Sequence, residues 1–96
     1  MSERQPKVRR TRASSVTAEV AFGLVLRELR LAADLTQADL EAMSNVDRSY
    51  ISQVENGQKQ VCFRTIIQLA TKLGVTPGAL VDLAVARMDR RELKKL

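Results

Sequence analysis

Leu35-Thr-Gln-Ala-Asp-Leu-Glu-Ala-Met-Ser-Asn-Val-Asp-Arg-Ser-Tyr-Ile-Ser-Gln-Val-Glu-Asn-Gly57 contains two short amphipathic segments parted by a polar break. Thr36 suits a helix N-cap, because its hydroxyl accepts from a backbone N–H that the first turn leaves without a partner. The spacing predicts a helix over about 37–43, with Leu40 and Met43 on the inner side. Ser44 and Asn45 interrupt it, and Asn is among the few side chains that tolerate positive φ. Asp47 is a strong N-cap for a second helix over about 48–56, with Ile51 and Val54 pointing inward. Asn56-Gly57 stops it.

Outward from this stretch the pattern stays helical. Phe22, Val25, Leu26 and Leu29 fall at i, i+3, i+4 and i+7, which predicts a helix over about 18–32. Asp34 follows and suits a left-handed cap, which Gly adopts more cheaply. A polar loop, 57–61, leads to a helix of about 62–73 carrying Phe63, Ile66, Leu69, Ala70 and Leu73, ended by Gly74. Thr76-Pro77 starts a fifth helix through Leu80, Leu83 and Ala84, extending to about Arg91. Five short helices without a strand pattern make an all-α domain. The second and third, joined by three or four residues, have the dimensions of a helix-turn-helix. Residues 1–17 lack apolar periodicity and read as a flexible basic arm. The division expected is arm 1–17, helical domain 18–84 and basic helical extension 85–96.

Ninety-six residues leave room for one small domain and for no second domain of ordinary size. Aromatics are 3% of the chain and Trp is absent, which disfavours a stacking platform for single-stranded nucleic acid. The net charge of +5 is unevenly placed. Residues 1–18 carry five cations against Glu3, and residues 85–96 carry five against Asp89 and Glu92, while 19–84 is slightly acidic. Basic tails reach polyanions, nucleic acid first, or are simply solvated. The single cysteine, Cys62, excludes a disulfide framework, fits a reducing cytoplasmic location and is expected to be a small buried residue. No apolar run approaches the roughly 18 residues of a membrane span, and no secretory leader is expected. With no His and no Gly-rich phosphate loop, we assign no catalytic residue, metal, cofactor or small-molecule ligand, and expect no enzyme.

The quoted stretch closely resembles the Xre family, which includes the phage lambda and 434 repressors and Cro proteins. The resemblance runs from about Phe22 to Leu80. It rests on Arg30, Leu-Thr-Gln at 35–37, Tyr-Ile-Ser at 50–52, Glu-Asn-Gly at 55–57 and Leu-Gly-Val at 73–75, in order and at matching spacing. Ser44 to Ser52 also looks like the controller proteins of restriction-modification systems, and small prophage regulators are similar. The resemblance implies a five-helix lambda-repressor-like fold. It also implies a sequence-specific regulator of transcription that binds double-stranded DNA, acts as a homodimer on an inverted repeat, and is of prokaryotic or phage origin, associated with the nucleoid. Three positions depart from the family pattern. Asp34 replaces a common Gly. Glu41 replaces a usual Ala and must turn outward or find a cation. Val61-Cys62 replaces Pro-Ser, removing a hydroxyl N-cap worth about 1 kcal/mol.

At about 100° per residue, Ser49, Gln53 and Asn56 point away from Ile51 and Val54, with Tyr50 and Ser52 on the flanks. Such a row suits major-groove reading, and also describes an ordinary solvated helix face. Gln37 resembles the family's phosphate-contacting residue at a helix N-terminus. Arg48 and Ser49 open the recognition helix, where residues contact base edges. Arg48 suits a guanine O6 and N7 or a phosphate equally. Gln53 suits an adenine or solvent. Tyr50 is half structural, its hydroxyl reaching the backbone. Asn56 resembles a phosphate contact and also suits a helix C-cap. Lys59 and Arg64 fit phosphates. By resemblance, Arg30 and Glu55 form a largely buried structural ion pair. Val81, Val85 and Met88 form the expected dimer contact, unless they cap the domain's own core. The arm is placed to wrap the duplex or enter the minor groove. The competing reading is an antitoxin, which binds a toxin as well as its own promoter.

Overall fold

The computed structural model describes residues 15–96; the expectations for the arm at 1–14 lie outside the described residues. Six helices follow one another: α1 (Ala18–Ala32), α2 (Gln37–Ser44), α3 (Arg48–Glu55), α4 (Phe63–Lys72), α5 (Pro77–Arg87) and α6 (Arg90–Lys94). No strand occurs among the described residues. The first four expected helices lie within a residue or so of these bounds. The fifth does not run to Arg91. It stops at Arg87, because Met88 and Asp89 are extended, and the Asp89 carboxylate accepts from the Arg91 N–H to start a separate turn.

Local chemistry places the ends. Thr17, Thr36, Asp47 and Thr76 each accept a backbone N–H in the first turn of their helix. At Thr36 the cap is reciprocal, since the Asp39 carboxylate accepts from the Thr36 N–H at 2.9 Å. Three helices end in the same Schellman pairing: Leu35 N–H to Arg30 O, Gln58 N–H to Gln53 O, and Val75 N–H to Ala70 O. Each needs one residue in left-handed conformation. Gly57 and Gly74 supply two of them, and Asp34, at φ 62°, supplies the third. Asn45, at φ 61°, makes the left-handed turn between α2 and α3. Ser44 is buried there, donating to Leu40 O at 2.6 Å and accepting from Val46 N–H, so the turn leaves its hydroxyl satisfied.

Leu26, Leu40, Ile51, Val54, Leu69 and Leu80 form the centre of the core, one or two from each of the first five helices. α1 packs chiefly against α3 and α5. Its crossing with α3 depends on Gly23, where an added Cβ would clash with the Val54 carbonyl oxygen and lie 2.9 Å from that of Glu55. Periodicity misjudged three side chains. Met43, Phe63 and Leu83 were expected inside, yet Phe63 is 77% exposed and Leu83 45%. Phe63 opens α4 nearly two turns before its buried residues, Leu69 and Ala70. Cys62 is exposed rather than buried, since it occupies the cap position ahead of α4.

Candidate nucleic-acid interface

The geometry starts from a buried ion pair. Arg30 on α1 meets Glu55 on α3 twice, Nε to Oε2 at 2.7 Å and Nη2 to Oε1 at 2.9 Å. Its Nη1 donates to Leu35 O at 2.8 Å, and Gln37 Nε2 donates to Glu55 Oε1 at 3.1 Å. Four contacts thus tie the end of α1, the start of α2 and the end of α3 into one block. The Glu55 carboxylate pushes the Arg30 guanidinium above its ordinary value, against the opposing pull of burial. A forked pair that also gives a third proton to the Leu35 carbonyl is tolerable inside, whereas a single surviving partner is not.

On that block α2 and α3 present different N-termini. The capping box of α2 occupies the N–H groups of Thr36 and Asp39. Those of Gln37 and Ala38 have no acceptor within the helix. A depression of about 470 Å³ lies beside them, lined by Arg30, Thr36, Gln37 and Arg48 and, on its apolar side, by Leu31, Leu35 and Ala38. Gln37 is half-buried through its bond to Glu55, so its amide is oriented before any ligand arrives. The first turn of α3 is filled by side chains. Asp47 accepts from Tyr50 N–H at 3.3 Å, and Glu41, reaching across from α2, accepts from Arg48 N–H at 3.0 Å. At the surface Glu41 therefore takes a backbone N–H, and no cation among the described residues pairs with it. The sequence offered no sign of this cap, because its acceptor stands seven residues ahead on another helix.

Ile51 and Val54 on α3 are buried, and Ser49, Gln53 and Asn56 are exposed on the opposite side. Arg48 is exposed at the leading end. Ser52 and Tyr50 are half-buried flanks. The Tyr50 ring packs on the core and its hydroxyl donates to the Gln60 carbonyl, which holds the loop after α3. Burial and a repulsive charge at Cys62 push the Tyr50 hydroxyl pKa up. Asn56 is the C-cap of α3 and exposed. Lys59 and Arg64 are exposed on the loop and helix that follow. Cys62 Sγ lies 3.3 Å from Thr65 Oγ1, and that hydroxyl lowers the thiol's pKa. The face is a row of donors and acceptors, with the Arg48 cation at its start and Lys59 and Arg64 beyond its end.

The profile of the helix-turn-helix family matches residues 26–80, more than half of the chain. The chain belongs to this family, in its Xre-type branch of DNA-binding transcription regulators. It is 34% identical over 63 residues to the control protein C.MunI of a Mycoplasma species, covering 65% of this chain and 85% of that one. The same identity holds over 62 residues with the control protein C.BamHI of Bacillus amyloliquefaciens, covering 64% of this chain and 76% of that one. The crystal structure of the restriction-modification controller protein C.AhdI from Aeromonas hydrophila superposes with a TM-score of 0.62 at 48% identity, covering 64% of this chain and 92% of that one. No single helix among the described residues is long and apolar enough to cross a membrane.

Proposed function

We propose that this protein is a controller-type regulator that binds an inverted-repeat operator as a homodimer, with α3 in the major groove. One observation carries the reading: a helix buried on Ile51 and Val54 exposes only hydrogen-bonding side chains, Ser49, Gln53 and Asn56, on its other side. Gln37, with the free N–H groups at the start of α2, takes a phosphate. Arg48 lines the same depression, which favours a phosphate over a guanine as its partner. Ser49 and Gln53 read bases, Asn56, Lys59 and Arg64 take backbone, and Tyr50 and Ser52 position the helix. Arg30 and Glu55 are structural.

The dimer rests on α5. Val81 and Val85 are exposed there, and with Phe22, Ile66, Ala84 and Met88 they line an apolar groove of about 290 Å³. One short helix reads too few bases for useful specificity, whereas two copies engage successive major grooves about 34 Å apart. In this reading the protein is a cytoplasmic binding protein and not an enzyme, with its base-reading domain in 18–84. Selection from a random duplex pool tests it. A recovered inverted repeat is the expected result. Recovery of no motif at moderate salt would overturn autonomous readout in favour of a toxin-binding partner protein.

A further inference from the structure

Among the described residues, Phe63 is the largest apolar side chain that the fold leaves in water. It is the first residue of α4, so the helix fixes where its ring stands. At about 100° per residue, Ile66 follows about 60° to one side of it and Ile67 about 40° to the other. Ile66 lines the groove beside α5, together with Phe22, Val61, Val81, Val85 and Met88. Ile67 is exposed. Phe63 does not line the groove itself, although Val61 and Ile66 on either side of it in sequence do. It is a projection on the rim, next to a hole that its own helix does not let it enter.

The size of the groove limits what it takes. It measures about 290 Å³. One turn of helix, about 5.4 Å long and about 10 Å across, fills roughly 400 Å³. A side chain fits there and a helix does not. The walls are apolar apart from Glu19, Lys59 and Gln60, and Gln60 Nε2 is already given to Glu19 at 3.1 Å. An apolar side chain is therefore the matching occupant. The area of the contact points the same way. Val81 and Val85 are each less than half exposed, which is small beside the roughly 800 Å² per partner of a specific interface. Phe63 and Ile67 continue the same apolar surface along α4.

We propose that Phe63 of each protomer fills the groove of the other, against Val81 and Val85, and is the anchor of the homodimer. The inference rests on the dimer through α5 and names the residue that holds it. A two-fold interface is made from one patch meeting itself, so a surface that carries a knob beside a hole satisfies both protomers at once. An aromatic ring seated in an apolar pocket is also the kind of contact that dominates an interface. The pairing accounts for a phenylalanine left in water beside a groove that its own chain does not fill.

The test is sedimentation equilibrium on the full chain, with helix content followed by circular dichroism. Phe63→Ala should keep its helix content and raise the dimer dissociation constant by at least about 30-fold, the size of an interface hot spot. Phe63→Leu keeps an apolar knob and should raise it by no more than about tenfold. A second measurement shows whether the contact crosses between chains. In a Cys62→Ser background, chains carrying Phe63→Cys are mixed with chains carrying Val85→Cys and treated with a short bis-maleimide. The mixed dimer keeps one intact knob and groove, and a covalent pair with one chain of each kind is expected, while neither variant alone should link. A dissociation constant for Phe63→Ala within about threefold of wild type, or links only between like chains, would overturn the proposal. If Phe63→Ala stays a dimer that Val81→Asp with Val85→Asp still splits, the dimer through α5 stands and only the knob is lost. If the wild type sediments as a monomer, the dimer reading fails and this inference fails with it.

Discussion

The two exposed sides of this small domain solve opposite problems. The α3 side buries its apolar residues fully and leaves Ser49, Gln53 and Asn56 to solvent. The α4–α5 side leaves apolar groups out: Phe63, Ile67, Val81, Leu83 and Val85 are all exposed. The first side has its polar groups fixed by Arg30, Glu55, Gln37 and Glu41, whose bonds reach α1, α2 and the turns between. The second has few such bonds: Arg87 of α5 forks onto Glu28 at 2.7 and 2.9 Å, both side chains well exposed. A surface of that kind gains little from an exposed ion pair. Side-chain hydrogen bonds are thus concentrated where their direction matters, while the apolar side needs only a matching surface.

The sharpest way to break the contrast is to remove the rigid block. Arg30→Ala leaves Glu55 buried without its partner, at an expected cost of about 3–5 kcal/mol. Denaturant unfolding checks it, and a loss below 1 kcal/mol would show that the carboxylate escapes to water. The apolar side is attacked next. Val81→Asp with Val85→Asp should leave the fold intact by circular dichroism and convert a dimer to a monomer in sedimentation. Operator affinity should then drop about 100-fold, or roughly 2.7 kcal/mol. A variant that still sediments as a dimer would place the interface elsewhere.

Smaller effects sharpen the polar side. Gln53→Ala should lose about 1–3 kcal/mol on the selected site and much less on random duplex, the signature of one lost base contact. Equal losses on both would make Gln53 a backbone contact. Glu41→Ala removes a cap from the recognition helix and should cost about 1 kcal/mol of stability. Because Glu41 fixes the Arg48 backbone, binding should weaken as well, although a negative charge near the phosphates has been removed; tighter binding would mean that repulsion outweighs positioning.

The smallest effect is set by pH. The Thr36 backbone N–H, then its hydroxyl, hold the Asp39 carboxyl below its ordinary 3.8. A depressed carboxyl contributes stability that is present above the unfolded value and lost as pH falls through the folded one. Below about pH 3.8 the wild type should therefore lose thermal stability faster than Asp39→Asn. Parallel melting curves for the two proteins in that range would remove the carboxylate from the capping box.

Much of this was legible in the chain because it is local. Thr36, Asp47 and Thr76 announce helix starts through side chains that reach only three residues ahead. Ile51 and Val54 define an inner face, and so the outer face of α3 follows from helix geometry alone. Other features needed the neighbours. An apolar stripe does not say how far the opposing surface extends, so Phe63 and Leu83 have the right periodicity and no cover. Gly23 has no pattern to mark it, yet it lets two backbones touch.

The caps, the turns and the inner and outer faces of the helices follow from the order of residues along the chain, since these depend on residues within about one turn of each other. Packing of the helices was needed to show that Glu41 caps α3, that the C-terminal segment breaks at Met88 into a separate helix, and that Glu92 meets Ser15. Those contacts join residues 7 to 77 positions apart. Their partners are chosen by how the packed helices aim their ends, and a periodic pattern carries no such direction.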